Sequence, residues 1–182
     1  MAPFTRKAII QTFQDMLVEM PFDKITILAL ASRCEISSNT FYYHFRDIYD
    51  LLDAWLLTLE VNLMQENKEA DHIYDVLKTL MRKMQANPEI VYHVFNSLPR
   101  ERVERQIFEV TQPIFIELLK RKPEPLSAPE ENLQMVADFY CFSFLGFIIK
   151  FVWEKMEGDV DIEVDRLQEI FENLNDYYIA EI

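Results

Sequence analysis

The chain has 182 residues, half of them apolar, with two glycines and a net charge of −13 at neutral pH. So much apolar side chain supports a sizeable core and excludes a disordered chain, and so few glycines argue against hairpin-rich β architecture, whose tight turns need positive φ. The acidity excludes a generally basic nucleic-acid-coating protein, but it is unevenly spread: residues 1–50 carry five basic against six acidic side chains, and the remaining surplus lies beyond them. A nearly neutral head on an acidic body leaves room for a local anion-binding face.

Taken in order, Thr5 is placed to cap a first helix whose apolar residues Ile9, Ile10, Phe13, Met16, Leu17 and Met20 recur every three or four positions, and Pro21 ends it. Thr26 caps a short second helix, Ile27 to about Cys34, with Ile27, Leu30 and Ala31 inward. A turn at Glu35-Ile36 leads to Ser37, which caps a third helix ending near Phe45. Asp47 caps the fourth, to about Asn67, and Asp50 adds negative charge to its first turn. Helices then follow over Asp71–Ala86, Glu89–Leu98 and from Pro99 to about Lys122, where the internal Pro113 predicts a kink. Lys122-Pro123-Glu124-Pro125 is a loop, and Ser127-Ala128-Pro129-Glu130 reads as a capping box. The next helix, 128–157, is apolar almost all round from Leu133 to Trp153, as for a helix buried on several sides. Its charge-free run, Phe139 to Ile149, is too short to span a bilayer and is bounded by Asp138 and Lys150, so no membrane partner is expected. Gly158 ends it, and the last helix, from about Asp161, carries a stripe of Val164, Leu167, Ile170, Phe171, Leu174 and Tyr178.

Cys34 and Cys141 sit in unrelated contexts and no secretory pattern precedes them, which reads as reduced thiols in the cytoplasm, a disulfide being the alternative. His44, His72 and His93 have no metal-ligand spacing, and neither a phosphate-cradling glycine loop nor a nucleophile–base arrangement is present. No metal, cofactor or enzymatic activity is expected.

Two short helices joined by a tight turn and backed by a third form a helix-turn-helix. Ala29 and Ala31 are small enough for close helix approach, Ile36 plugs the angle, and Phe41 and Phe45 anchor one face of the third helix. The opposite face shows Ser38, Asn39, Thr40, Tyr43 and His44, groups suited to base edges and phosphates.

The run Thr26-Ile27-x-x-Leu30-Ala31, Ile36-Ser37-x-x-Thr40-Phe41-Tyr42-Tyr43-His44-Phe45, then Asp47 and Leu51-Leu52, resembles the N-terminal signature of the TetR family of regulators. The resemblance implies an all-α fold, with a three-helix helix-turn-helix DNA-binding domain over residues 1–50 and a helical ligand-binding and dimerisation domain over 51–182. It further implies that Thr26, Ser37, Thr40, Tyr42 and His44 grip phosphates of double-stranded DNA and that Ser38, Asn39 and Tyr43 read bases. Ser37 is a helix cap in any case; the alternative for Tyr42 is a core aromatic, and for His44 a structural role. Two departures stand out: Glu35 where the family has glycine in the turn, and Ile48 where it has a lysine.

The same resemblance implies a homodimer through the last two long helices and a cavity for a small apolar or aromatic effector. Trp55, Met64, Met81, Met84, Tyr92, Phe95, Phe108, Phe115, Met135, Phe139 and Phe142 are candidates to line it, each also an ordinary core residue in the alternative. The run Phe144–Ile149 with Trp153 and Gly158 is similar to the TetR subgroup that includes the regulator of dihydroxyacetone kinase operons. The expected function is ligand-responsive repression at a palindromic operator. The weakened DNA face at Glu35 and Ile48 motivates an alternative, a co-activator of the same family that works through a protein partner.

Overall fold

The structure, a computed structural model, describes residues 2–70, 72–120 and 130–173. Those residues are helical or in turns, with helices α1 (Ala2–Glu19), α2 (Ile27–Arg33), α3 (Ser38–His44), α4 (Ile48–Glu66), α5 (Ile73–Ala86), α6 (Pro88–Phe95), α7 (Arg100–Lys120), α8 (Glu130–Trp153) and α9 (Val160–Glu172), and a 3-10 turn at Phe22–Lys24. They fall into two compact units: Met1–Asn62 with Asn87–Thr111, and Leu63–Ala86 with Gln112–Ile182.

The first unit is larger than residues 1–50, because α6 returns to α1. Its core gathers Ile9, Phe13 and Leu17 of α1, Leu30, Phe41, Phe45, Leu51, Leu52 and Trp55, and closes with Ile90 and Val94 of α6. Burying each large side chain contributes about 1.5–3 kcal/mol. Phe13 meets Phe22 and Trp55 edge-on, each at 6.1 Å between centroids, and the Trp55 indole N–H donates to Gln14 Oε1 at 3.2 Å. On α6, His93 Nδ1 lies 2.7 Å from the Leu17 carbonyl oxygen. A carbonyl only accepts, so Nδ1 carries the proton there. Arg102 of α7 donates to Asp53 at 2.8 Å and covers the Tyr49 ring at 4.8 Å, which ties α7 to α4.

The second unit packs α5, the end of α7, α8 and α9. Phe144 of α8 meets Phe115 edge-on at 5.1 Å and Tyr74 at 5.7 Å. Lys78 pairs with Asp165 at 2.5 Å and Arg82 with Asp161, pinning α5 to α9. The corner between α8 and α9 is built from left-handed backbone: Lys155, Met156 and Gly158 have φ of 59°, 56° and 119°. Met156 N–H returns to Phe151 O at 2.8 Å and Lys155 N–H to Val152 O at 3.1 Å, the paired bonds that satisfy a helix's last carbonyls. The Gln85 amide donates to the carbonyls of Met156 and Gly158 at 2.9 and 3.0 Å and so holds this corner to α5.

Several elements differ from expectation. α1 begins at Ala2, so Thr5 lies inside the helix and does not cap it. Ala29 is exposed, and of the two small residues only Ala31 is buried. α7 passes through Pro113 as one helix. α9 begins at Val160, because Asp159, two residues before the expected start, accepts the N–H groups of Asp161 and Ile162. The capping box at 127–130, Leu174 and Tyr178 lie outside the described residues, or in residue 130 outside the described side chains.

Candidate nucleic-acid interface

Local chemistry sets the geometry of the head. Thr26, in extended backbone, accepts the Ala29 N–H on its hydroxyl at 3.2 Å and starts α2. At the other end Ile36 N–H bonds Ala31 O at 2.9 Å and Glu35 N–H bonds Ser32 O at 3.1 Å. That double bond pattern requires a left-handed residue just past the cap, a place where glycine is favoured. Glu35 occupies it with φ 56°. Ser37 then starts α3: its Oγ accepts the Thr40 N–H at 3.1 Å and lies 2.9 Å from the Thr40 hydroxyl. α2 is fixed to α1 by a two-pronged ion pair, Arg33 Nη1 and Nη2 each 2.5 Å from a Glu19 carboxylate oxygen. The pair holds the Glu19 carboxyl below its ordinary range, first through the hydrogen bond from Arg33.

α3 has two unlike faces. Phe41 and Phe45 are sealed in the core, their centroids 5.7 Å apart. Asn39, Tyr42 and Tyr43 are exposed, Tyr43 to 79%, while Ser38, Thr40 and His44 are half-buried. Tyr42 stands edge-on to Phe41 at 5.6 Å and Tyr43 edge-on to His44 at 5.0 Å. All eight residues expected to face DNA therefore lie on α2 and α3 or their caps, and none is buried. Tyr42 is not a core aromatic.

Just beyond, Asp47 caps α4 by accepting the N–H groups of Tyr49 and Asp50 at 2.8 and 2.9 Å. Asp50 reaches back to accept the Arg46 N–H at 2.9 Å and an Arg46 guanidinium N–H at 3.1 Å. The Arg46 backbone bond, then its side chain, holds the Asp50 carboxyl below the usual range. Ile48 is half-buried against the core. Nothing in the sequence beyond their charge marks Arg46 and Arg6; their setting comes from the packing of α1 and of the α3–α4 corner.

The effector-pocket candidates are scattered. Trp55 is part of the head's core, and Tyr92, Phe95 and Phe108 belong to the same unit. Met81, Met84 and Phe115 are buried in the second unit, whereas Met64, Met135, Phe139 and Phe142 are exposed. The last three occupy the outer side of α8, a helix too uniformly apolar for its sequence to reveal which side faces out. A groove of about 310 Å³ does exist in this unit, floored by Leu77 and Met81 of α5, Phe147 and Phe151 of α8, and Val164 and Leu167 of α9. Met81 is the pocket candidate that lines it.

An all-helical chain with a capped helix-turn-helix and one polar, exposed face on its second short helix defines the helix-turn-helix class of DNA-binding regulators. A family model described as bacterial regulatory proteins of the tetR family matches residues 9–55, and one described as a transcriptional regulator C-terminal region matches residues 71–173. The chain belongs to the TetR family of transcriptional regulators. No curated protein matches it by sequence. Among solved structures it is similar to NalD of Pseudomonas aeruginosa, the secondary repressor of the MexAB-OprM multidrug efflux pump, with TM-score 0.62, 15% identity, and 93% of this chain and 95% of that one covered. A TerR/AcrR-family regulator from Aquifex aeolicus VF5 gives 0.56, 16%, 93% and 99%. The repressor AlkX from Dietzia, implicated in n-alkane biodegradation, gives 0.55, 14%, 91% and 91%. At these identities the likeness shows the fold.

Proposed function

We propose that this chain is a cytoplasmic, ligand-responsive repressor that binds a palindromic operator as a homodimer. The observation that carries the reading is the two-faced α3. Its phenylalanines are locked in the core, so Ser38, Asn39 and Tyr43 stand outward at fixed height, flanked by the hydroxyls of Thr26, Ser37 and Thr40 and by Tyr42 and His44. That is the arrangement a recognition helix needs, with base-reading groups central and phosphate-gripping groups at the edges. Asn39 pairs with adenine in the major groove, a contact of about 1–3 kcal/mol in discrimination.

The outer side of α8 supports the dimer. Met135, Phe139, Phe142 and Trp153 are each more than half exposed and fall, with Gly146, on one stripe of alternating four- and three-residue steps. Gly146 costs about 1 kcal/mol relative to alanine inside a helix, yet a Cβ there would meet nothing within 4 Å in its own chain. A glycine that its own chain does not require, centred in an exposed apolar stripe, suits the close crossing of a second α8. The same helix holds, within Asn132–Trp153, an 18-residue stretch of mean hydropathy 1.8, which its role as a subunit-contacting helix accounts for without a membrane. On this reading Met135, Phe139 and Phe142 serve the dimer, and an apolar or aromatic effector is held by the body, 51–182, while residues 1–50 read DNA.

The co-activator alternative and membership of the dihydroxyacetone kinase regulator subgroup keep the same fold and differ in partner. Gel shift of duplexes from the chain's own upstream region, together with sedimentation, tests the proposal. The expected result is one dimer per palindrome, with half-sites about one helical turn apart, and Gly146→Leu sedimenting as monomer and losing operator binding. Tight specific binding only in the presence of a second protein would favour the co-activator and overturn the repressor reading.

A further inference from the structure

We propose that Arg6 and Arg46 form a two-arginine clamp for a DNA phosphate at the corner where α3 gives way to α4, in place of the cation that Ile48 does not supply. The inference rests on the reading that α3 faces DNA and deepens it.

Three observations converge on this corner. Arg46 is tethered yet presented: its own N–H and one guanidinium N–H are held by Asp50 at 2.9 and 3.1 Å, while its side chain is 85% exposed against 29% for Asp50. Arg6 comes from α1, with its guanidinium carbon 5.1 Å from the centroid of Phe45, the residue that precedes Arg46. Arg6 has no ion pair among the described residues. The three acidic groups near Arg46 are engaged: Asp47 Oδ1 accepts two N–H groups of the first turn of α4, both oxygens of Asp50 accept from Arg46, and Asp53 pairs with Arg102 at 2.8 Å. The Asp50 carboxyl is held low first by its hydrogen bonds from Arg46 and, to a lesser degree, by the charge of Arg6.

The consequence is directional. The carboxylates satisfy backbone donors and the guanidinium groups stand outside them, next to the end of α3 that carries His44. A guanidinium retains free N–H donors after one is used and matches a phosphate's oxygens in pairs. Holding the group in advance also lowers the rotamer entropy lost on docking. Lysine at the start of α4 acts from the helix; here the same anion is approached from the corner and from α1.

The test is the salt dependence of binding to a duplex selected from a random library with the wild type, read by fluorescence anisotropy. Each neutralised phosphate contributes about 0.9 to the slope of log K against log salt, and a dimer has two heads. The double variant Arg6→Gln/Arg46→Gln, which empties the clamp in both heads, is expected to flatten the slope by about 1.8, so that the wild type's advantage shrinks about twelve-fold between 50 and 200 mM salt, and each single variant flattens it by part of that. Base preference stays unchanged. Arg46→Lys keeps the wild-type slope, because the charge remains, and Lys155→Gln, in the other unit, changes nothing. Weaker binding at an unchanged slope means a purely structural role and overturns the clamp alone. A wild type that selects no duplex overturns the DNA-facing reading and the clamp with it.

Discussion

Replacing Glu35 with glycine is expected to stabilise the protein. Glu35 sits at φ 56° between α2 and α3, and a side chain with a Cβ in left-handed backbone costs about 1–2 kcal/mol. Glycine removes that cost, but its freer unfolded chain returns about 0.5–1 kcal/mol. The net gain is about 0.5–1 kcal/mol, worth roughly 1–4 °C in Tm for a chain of this size. The comparison that isolates the cause is Glu35→Ala, which removes the charge and keeps the strain. Thermal and denaturant unfolding at matched protein concentration should place Glu35→Gly above both the wild type and Glu35→Ala, with Glu35→Asn between them, since asparagine tolerates the left-handed region better. If Glu35→Ala gains as much as Glu35→Gly, the strained turn is not the cause and the reasoning fails.

Gly158→Ala should destabilise by about 1–3 kcal/mol, because φ of 119° is nearly closed to other residues; the Glu163 carboxylate oxygen, 2.5 Å from a Cβ there, can swing aside and adds little. A denaturation midpoint within error of the wild type would contradict this. The Glu19–Arg33 clamp predicts a pH signature. The Glu19 carboxyl is held below its ordinary 4.5, so its stabilisation is present above that value and is lost as pH falls through the lowered one. The deficit of Glu19→Gln in chemical unfolding should therefore be present at neutral pH, fade on acidification and shrink with added salt. A deficit that grows towards acid would show that the clamp is not the source.

How much of this was legible in the residues depends on whether their chemistry breaks a symmetry. Thr26, Ser37 and Asp47 announce helix starts because each pairs a short side-chain oxygen with a preceding break and a following apolar period, and all three are caps; Thr5, with no break before it, lies inside α1. Phe41 and Phe45 stand out because their neighbours on α3 are polar. α8 offers no such contrast: Met135, Phe139 and Phe142 look inward by composition and are exposed. The end of α8 and the start of α9 turn on backbone at Lys155 and Met156 that neither residue type advertises, with Gln85 supplying the bonds from far along the chain. Likewise Arg6 and Phe45 are distant in sequence, and their contact comes only from the packing of α1.

The capping hydroxyls of the head carry a consequence for how a regulator of this build would tolerate change in its target. Thr26 and Ser37 are already engaged with backbone N–H groups before any partner arrives, whereas Asn39 and Tyr43 are exposed and cap no helix. The first pair acts like a jig, the second like adjustable fingers. Such a protein should lose about 1–3 kcal/mol for each changed letter under its fingers, and should lose the grip of a whole head to an insertion or deletion that moves the two halves of its target out of phase.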